Sequence, residues 1–433
     1  MNIYRMHRNK EKESMPFCLL MADDHENLMD DPQLRALFQQ GEELILPDMG
    51  EWMPLPEGAG LISLPGRKPL GMDAQGEVLE IDGAVAVAAT LPQGYTRLAL
   101  PAFEVESGAE ELPLYGYAAV AWHEDEIWVA AHPTDELRDR WAPKHFNTEK
   151  LESLIVQRMA EFPTNRIVEQ LAHCALDYRC FTAQNMFYRR WEAGIPVSPV
   201  CNARCLGCIS LQESECCPAP QTRLNFVPSI EEIVSLGSAH LQHAEEGMIS
   251  FGQGCEGEPS LQYRILVQAM QQIRSRTHKG TININSNAGH TEAITALVQN
   301  RLDAIRVSLN STIPELYHAY YRPISYQFED VLRSMEQCRI AGVQVSLNFL
   351  AFPGITDRER EIESLLKFIQ DHHIYMVQLR NLNIDPNLYW QTMKVTESTY
   401  GKALGMLKLI EIIRNETSAL VGSFSRSKNF NQN

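Results

Sequence analysis

The chain has no long apolar run. No stretch approaches the ~18 consecutive apolar residues that a membrane-spanning helix needs, and Ala84–Leu91, eight residues interrupted only by Thr90, is among the longest. Met15–Ala22 follows a basic stretch and faintly imitates a signal peptide. It runs straight into Asp23-Asp24 without a small-residue cleavage site, so the expectation is a cytoplasmic, non-membrane protein. Basic excess is also missing. The formal net charge is −17, and residues 1–150 hold 12 Lys+Arg against 27 Asp+Glu, which makes nucleic acid an unlikely partner for that half. Cysteine is not spread as a disulfide framework would spread it. Of ten cysteines, Cys201, Cys205 and Cys208 fall within eight residues, Cys216 and Cys217 follow, and none comes after Cys338. Such clustering in a chain of 433 residues reads as metal binding.

The chain falls into regions of different texture. Residues 1–147 are rich in Pro and Gly, with short strand-like runs at 77–81, 84–90, 114–121 and 127–131, and read as a β-rich accessory domain of unknown role. Residues 148–193 show helical spacing interrupted near Pro163 and read as a connector, its Cys174 and Cys180 as ordinary buried thiols. Residues 194–385 alternate strand and helix. Strands are expected at 196–200, 248–252, 281–286, 304–310, 343–350 and 376–380, with helices at 229–243, 261–277, 291–300, 328–341 and 359–372. Six βα units imply an α/β fold with a parallel sheet, doubly wound or curled into a partial barrel, with its chemistry at the carboxyl ends of the strands. Residues 386–433 are expected to add one helix, about 400–414, and a frayed polar end from Ser423.

The strongest motif follows the first expected strand: Cys201-Asn202-Ala203-Arg204-Cys205-Leu206-Gly207-Cys208, a C-x3-C-x2-C loop. Thiolates are soft ligands that suit iron–sulfur clusters or zinc. One compact loop can place a sulfur on each of three irons of a cubane and leave the fourth iron open to another ligand. A second motif, Gly257-Glu258-Pro259, ends the second strand 50 residues after Cys208. Glycine permits close backbone approach, and a carboxylate suits an ammonium partner.

These two motifs together resemble the radical SAM superfamily, and the resemblance covers roughly residues 194–385. It implies a partial (β/α)6 TIM-like barrel as the core and a [4Fe–4S] cluster held by Cys201, Cys205 and Cys208. It also implies S-adenosylmethionine (SAM) as second cofactor, reductively cleaved to a 5′-deoxyadenosyl radical that abstracts hydrogen from a substrate. Gly257 and Glu258 are then expected to receive the SAM amino group, and Ser308 and Asn310, on one face of the fourth strand by alternation, the ribose or methionine moiety. Arg322 is a further expected partner for the methionine carboxylate. The chain departs from the family pattern at Glu256, where a second glycine is common. An activating-enzyme-like core, oxygen sensitivity and a flavodoxin or ferredoxin as low-potential electron donor follow from the same resemblance. The substrate, a small molecule or a protein or peptide, is left open.

Competing readings concern the same residues. Cys216 or Cys217 could complete a closed structural zinc site with the three cysteines. Cys216, Cys217 and Cys255 could ligate an auxiliary cluster or donate hydrogen atoms. Gly252-x-Gly254-x-x-Gly257 matches a dinucleotide fingerprint and would suit a nicotinamide or flavin oxidoreductase, although no Asp or Glu stands at 275–280 to hold a ribose. His240 with His243, and His372 with His373, read as packing or solvated residues.

Overall fold

The computed structural model describes residues 17–41, 43–135, 138–212 and 219–428. Residues 17–133 form a largely antiparallel sheet. Its central path runs Tyr95–Arg97, Glu126–Pro133, Ala118–His123, Val85–Thr90, Cys18–Ala22, Leu28–Ala36, Arg67–Met72 and Phe103–Val105. Small apolar side chains at alternate positions, such as Ala86, Ala88, Ala119 and Ala121, put one face of these strands in the core. Three helices follow, Leu151–Glu161, Arg166–Leu176 and Phe181–Tyr188. The chain breaks between the first two near Pro163, and Asn165 caps the second by accepting from Ile167 N.

The rest of the chain is a seven-stranded, all-parallel sheet in sequential order: β1 (Glu192–Gly194), β2 (Met248–Phe251), β3 (Thr281–Ser286), β4 (Ala304–Leu309), β5 (Gln344–Ala351), β6 (Met376–Asn381) and β7 (Leu420–Gly422). Helices α1 (Ile230–His243), α2 (Tyr263–Arg276), α3 (Thr291–Gln299), α4 (Pro314–Tyr321), α5 (Phe328–Ile340), α6 (Glu359–Asp371), α7 (Pro386–Met393) and α8 (Met406–Glu416) connect or follow the strands. Flat neighbouring strands lie ~4.8 Å apart, so β1 and β4 would be some 14 Å apart in an open sheet. Yet Arg306 on β4 donates to Glu192 on β1 at 2.7 Å and to Gln378 on β6 at 2.9 Å. The sheet is therefore curled, and its concave side is the inside of a partial barrel.

Three expectations change. The first strand is Glu192–Gly194, earlier than residues 196–200, because Pro196 and Pro199 have no N–H to give a ladder. The C-terminal helix starts at Met406, since Gly401 and Gly405 take positive φ and break the run begun at Glu397–Tyr400. The tail is not frayed through residue 428. β7 pairs with β6, Ser423 N donates to Asp135, and Phe424 stacks on Trp141 with ring centroids 4.9 Å apart. Residues 429–433 lie outside the described residues.

Candidate active site

The segment after β1 and the turn after β2 are built as one unit. Past the two prolines, the backbone uses its carbonyls: Gly257 N donates to Ser198 O at 2.7 Å and Glu258 N to Val200 O at 2.8 Å. Glu256 supplies the missing acceptors. Its Oε2 accepts from Val197 N and Ser198 N, and its Oε1 from Gly252 N and Gln253 N, all at 2.7–2.9 Å. Burial pushes this carboxyl up to about 8. Four N–H donors nevertheless leave neither oxygen an acceptor with which to share a proton, so the geometry is that of the ionised form. The departure from a second glycine is thus a structural clamp. It also answers the dinucleotide reading, because the N–H groups of Gly252 and Gln253 that would cradle a pyrophosphate are taken.

Gly257 has no substitute here. A Cβ on it would lie 2.1 Å from Val200 O, so only glycine lets the two backbones pair. Glu258 follows, buried, with Oε1 accepting from Ser260 N (3.0 Å) and Ser286 Oγ (2.6 Å) and Oε2 from Asn287 N (2.9 Å).

The three-cysteine loop is held from the other side by the end of α4. Leu206 N donates to Tyr320 O at 2.9 Å, Arg204 N to Tyr321 O at 3.1 Å, and Ile324 N to Asn202 O at 2.9 Å. Asn287 Nδ2 ties the loop to the end of β3 through Asn202 Oδ1 at 2.7 Å. Cys201, Cys205 and Cys208 line one cavity of about 710 Å³ at the carboxyl end of the sheet, together with Gly257, Glu258, Ser308 and Tyr320. Burial pushes the Cys201 thiol up to about 11, with the Glu258 charge adding to it, and burial raises Cys205 as well. Bare thiolates are costly in such a place, and a cationic iron cluster would offset that cost. Arg223 Nη2 reaches Cys208 Sγ at 3.4 Å. Three thiols on one wall, glycine-permitted backbone approach and a held carboxylate suit the cluster and SAM together. Among the described residues no three such side chains converge as the ligands of a single ion do. Cys216 and Cys217, needed for the zinc reading, lie outside the described residues.

Two expected residues are placed elsewhere. Asn310 sits one residue past the end of β4, where strand alternation no longer holds. Its Nδ2 turns to Leu316 O at 3.2 Å and Tyr389 Oη at 3.3 Å, away from the cavity lining. Arg322 is exposed in a left-handed conformation (φ +47°) at the end of α4, and its carbonyl accepts from Arg204 N. It acts on the cysteine loop through its backbone.

Other lining residues carry no sequence signal. Cys174 and Cys180, from the preceding helices, reach the cavity beside Cys255. A hydrogen bond with Cys255 holds Cys174 below the usual thiol range, while Cys255 is raised. Gln93, Leu114 and Trp141 bring in the N-terminal region, and Arg306, Asn348 and Arg380 the inner face of β4–β6. His240 is a packed residue, its Nε2 2.9 Å from Trp191 O.

Residues 195–369 match the Radical SAM superfamily. A search of curated proteins gives no match. Among solved structures, the chain resembles native anSMEcpe with bound AdoMet (15% identity, 47% of this chain and 58% of that one, TM-score 0.37). It also resembles HydG, a maturase of the [FeFe]-hydrogenase (13%, 64% and 66%, 0.38), and methylornithine synthase (12%, 62% and 78%, 0.38). The chain spans little more than half the length of anSMEcpe. No helix among the described residues is long and apolar enough to cross a membrane. The cysteine loop, the paired backbone of the glycine–glutamate turn and the family match agree: residues 195–369 form a radical SAM superfamily domain.

Proposed function

We propose that Cys201, Cys205 and Cys208 hold a [4Fe–4S] cluster at the mouth of the partial barrel, with SAM bound beside it against Gly257 and Glu258. When bound and reduced from outside, the cluster would supply the one electron that cleaves the SAM sulfonium into methionine and a 5′-deoxyadenosyl radical able to take a hydrogen atom from the substrate. The residues of the chain supply orientation and exclusion of water. The Gly257 backbone brings the turn against Val200, and Ser260 N, Ser286 and Asn287 N fix the Glu258 carboxylate so that its remaining lone pairs can receive an ammonium. Ser308, inward on β4 and 3.4 Å from Asn348 Nδ2, offers a hydroxyl to the ribose. Tyr320, Tyr321 and Leu382 close apolar surface over the loop. Electrons would come from a flavodoxin or ferredoxin in the cytoplasm.

The observation that carries this reading is the joint lining of one cavity by the three cysteines, Gly257 and Glu258. Anaerobically reconstituted protein is expected to release 5′-deoxyadenosine from SAM on reduction with dithionite. A Cys201/Cys205/Cys208 triple-Ala variant is expected to release none. Equal release from both would reject the proposal.

A further inference from the structure

The inside of the barrel holds two guanidinium groups in unequal circumstances. Arg306 is fully matched: Nε donates to Asn285 Oδ1 at 2.7 Å, Nη1 to Gln378 Oε1 at 2.9 Å and Nη2 to Glu192 Oε1 at 2.7 Å. Glu192 Oε1 also accepts from Ser250 Oγ at 2.6 Å, so one cation and one anion close a buried pair. Arg380, on the neighbouring inward position of β6, lines the same cavity but meets only neutral amides. Its Nε donates to Asn348 Oδ1 at 3.3 Å and its Nη2 to Gln378 Oε1 at 3.2 Å. Gln93, with its amide oxygen turned to the guanidinium, meets Nη1 and Nη2. Among the described residues no carboxylate lies within ion-pair distance of Arg380. Glu192 and Asp135 act on it only at a distance, and burial with Arg306 beside it lowers its hold on the proton, to about 10.

A half-buried cation in a cavity wall is poorly served unless an anion meets it. Arg306 has that anion in the fold; Arg380 does not. Asn348 and Asn383 line the same cavity and offer further polar groups. The adjoining wall comes from the N-terminal region, through Gln93, Leu114 and Trp141. That wall is fixed: buried Arg97 donates through Nη2 to Leu382 O at 2.8 Å and through its backbone N to Asn381 Oδ1 at 2.8 Å. A cavity walled on that side suits a small molecule better than a through-running peptide.

We infer that the substrate is a small carboxylic acid whose carboxylate pairs with Arg380, taking the place that the Gln93 amide oxygen holds in its absence. This deepens the function proposed above and rests on it. A bidentate carboxylate would use both Nη atoms of Arg380, the geometry at which guanidinium excels. Specificity would then come from Asn348 and Asn383 around the rest of the molecule.

The test uses the full, reconstituted chain saturated with SAM, and ligand-observed NMR with acetate, lactate, succinate, L-glutamate and inorganic phosphate as probes. At least one carboxylic acid is expected to bind, with affinity reduced ~10-fold or more in Arg380→Gln, as loss of a charge-assisted hydrogen-bond pair implies. Gln93→Glu, which supplies an internal carboxylate to Arg380, is expected to block the same probe and keeps the test sound should Arg380→Gln fold poorly. SAM affinity is expected to stay within about twofold in both variants. The inference is overturned if no acid binds wild type, if Arg380→Gln binds the acid equally well, if phosphate is preferred, or if SAM affinity itself collapses in Arg380→Gln. Failure of wild type to retain iron or SAM would instead remove the underlying reading, and this inference with it.

Discussion

The two sheets of the molecule bury opposite things. In the N-terminal sheet the packed faces are apolar, with Leu20, Leu28, Val87, Val120 and Val129 in one cluster and alanines in another. The concave side of the parallel sheet is polar: Glu192, Ser250, Asn283, Arg306 and Gln378 are all buried there. Buried polar groups that specify nothing are a net cost compared with well-packed apolar ones. The first sheet is thus built for stability, and it spends its edge residues on closing the second. The second tolerates a polar lumen because its hydrogen bonds hold side chains at the places where a reaction needs them.

This contrast can be broken first at the seam. Arg67 Nη2 donates to Asp385 Oδ2 at 2.6 Å, both residues buried, and Asp385 also accepts from Leu112 N and caps α7 through Asn387 N. Arg67→Ala leaves a buried carboxylate without its cation, so a loss of ~3–5 kcal/mol in unfolding free energy is expected, read by denaturant titration. Were the N-terminal sheet a loosely tethered module, the loss would be far smaller.

Gly257→Ala comes next. The added methyl lies 2.1 Å from Val200 O, so the turn must shift, with ~1–3 kcal/mol of destabilisation and loss of SAM binding measured by equilibrium dialysis. Glu361, behind the barrel on α6, sharpens the comparison through pH. It accepts from Ser311 Oγ at 2.8 Å, and burial pushes its carboxyl up to about 8. A carboxyl raised in the folded state holds its proton there after the unfolded chain has lost it. Its contribution is therefore full below about pH 4.5 and is lost as pH rises towards 8, by up to about 1.4 kcal/mol per unit. Glu361→Gln is expected to flatten that part of the stability–pH curve.

The smallest effect is expected at Arg322. Because its side chain is exposed and only its carbonyl touches the cysteine loop, Arg322→Ala is expected to leave SAM affinity within about twofold by the same dialysis assay. A tenfold loss would restore it as a methionine-carboxylate partner.

What the sequence made legible was local. The cysteine loop and the glycine–glutamate turn are each contiguous, and βα alternation marks the sheet, so they could be picked out from spacing, and the resemblance they carry supplied the expected chemistry. Alternation put Ser308 inward but carried on to Asn310, where the strand has already ended and the side chain turns to Leu316 O and to Tyr389 on α7. The residues missed are those that tertiary folding brings together. Gln93 and Arg380 are 287 positions apart, Cys174 reaches Cys255 from a preceding helix, and the seventh strand lies in a tail whose polar letters hide buried Ser423 and Ser425. Glu256 looked like a defect in a glycine motif, and only its four backbone donors show it to be a clamp.

The most direct trial of the whole account is metal analysis of anaerobically reconstituted protein joined to electron paramagnetic resonance of its reduced state. The account predicts about four irons per chain, lost on replacing Cys201, Cys205 and Cys208, and a reduced-cluster signal that changes when SAM is added. Stoichiometric zinc retained through Cys216 or Cys217, or an iron signal indifferent to SAM, would contradict it.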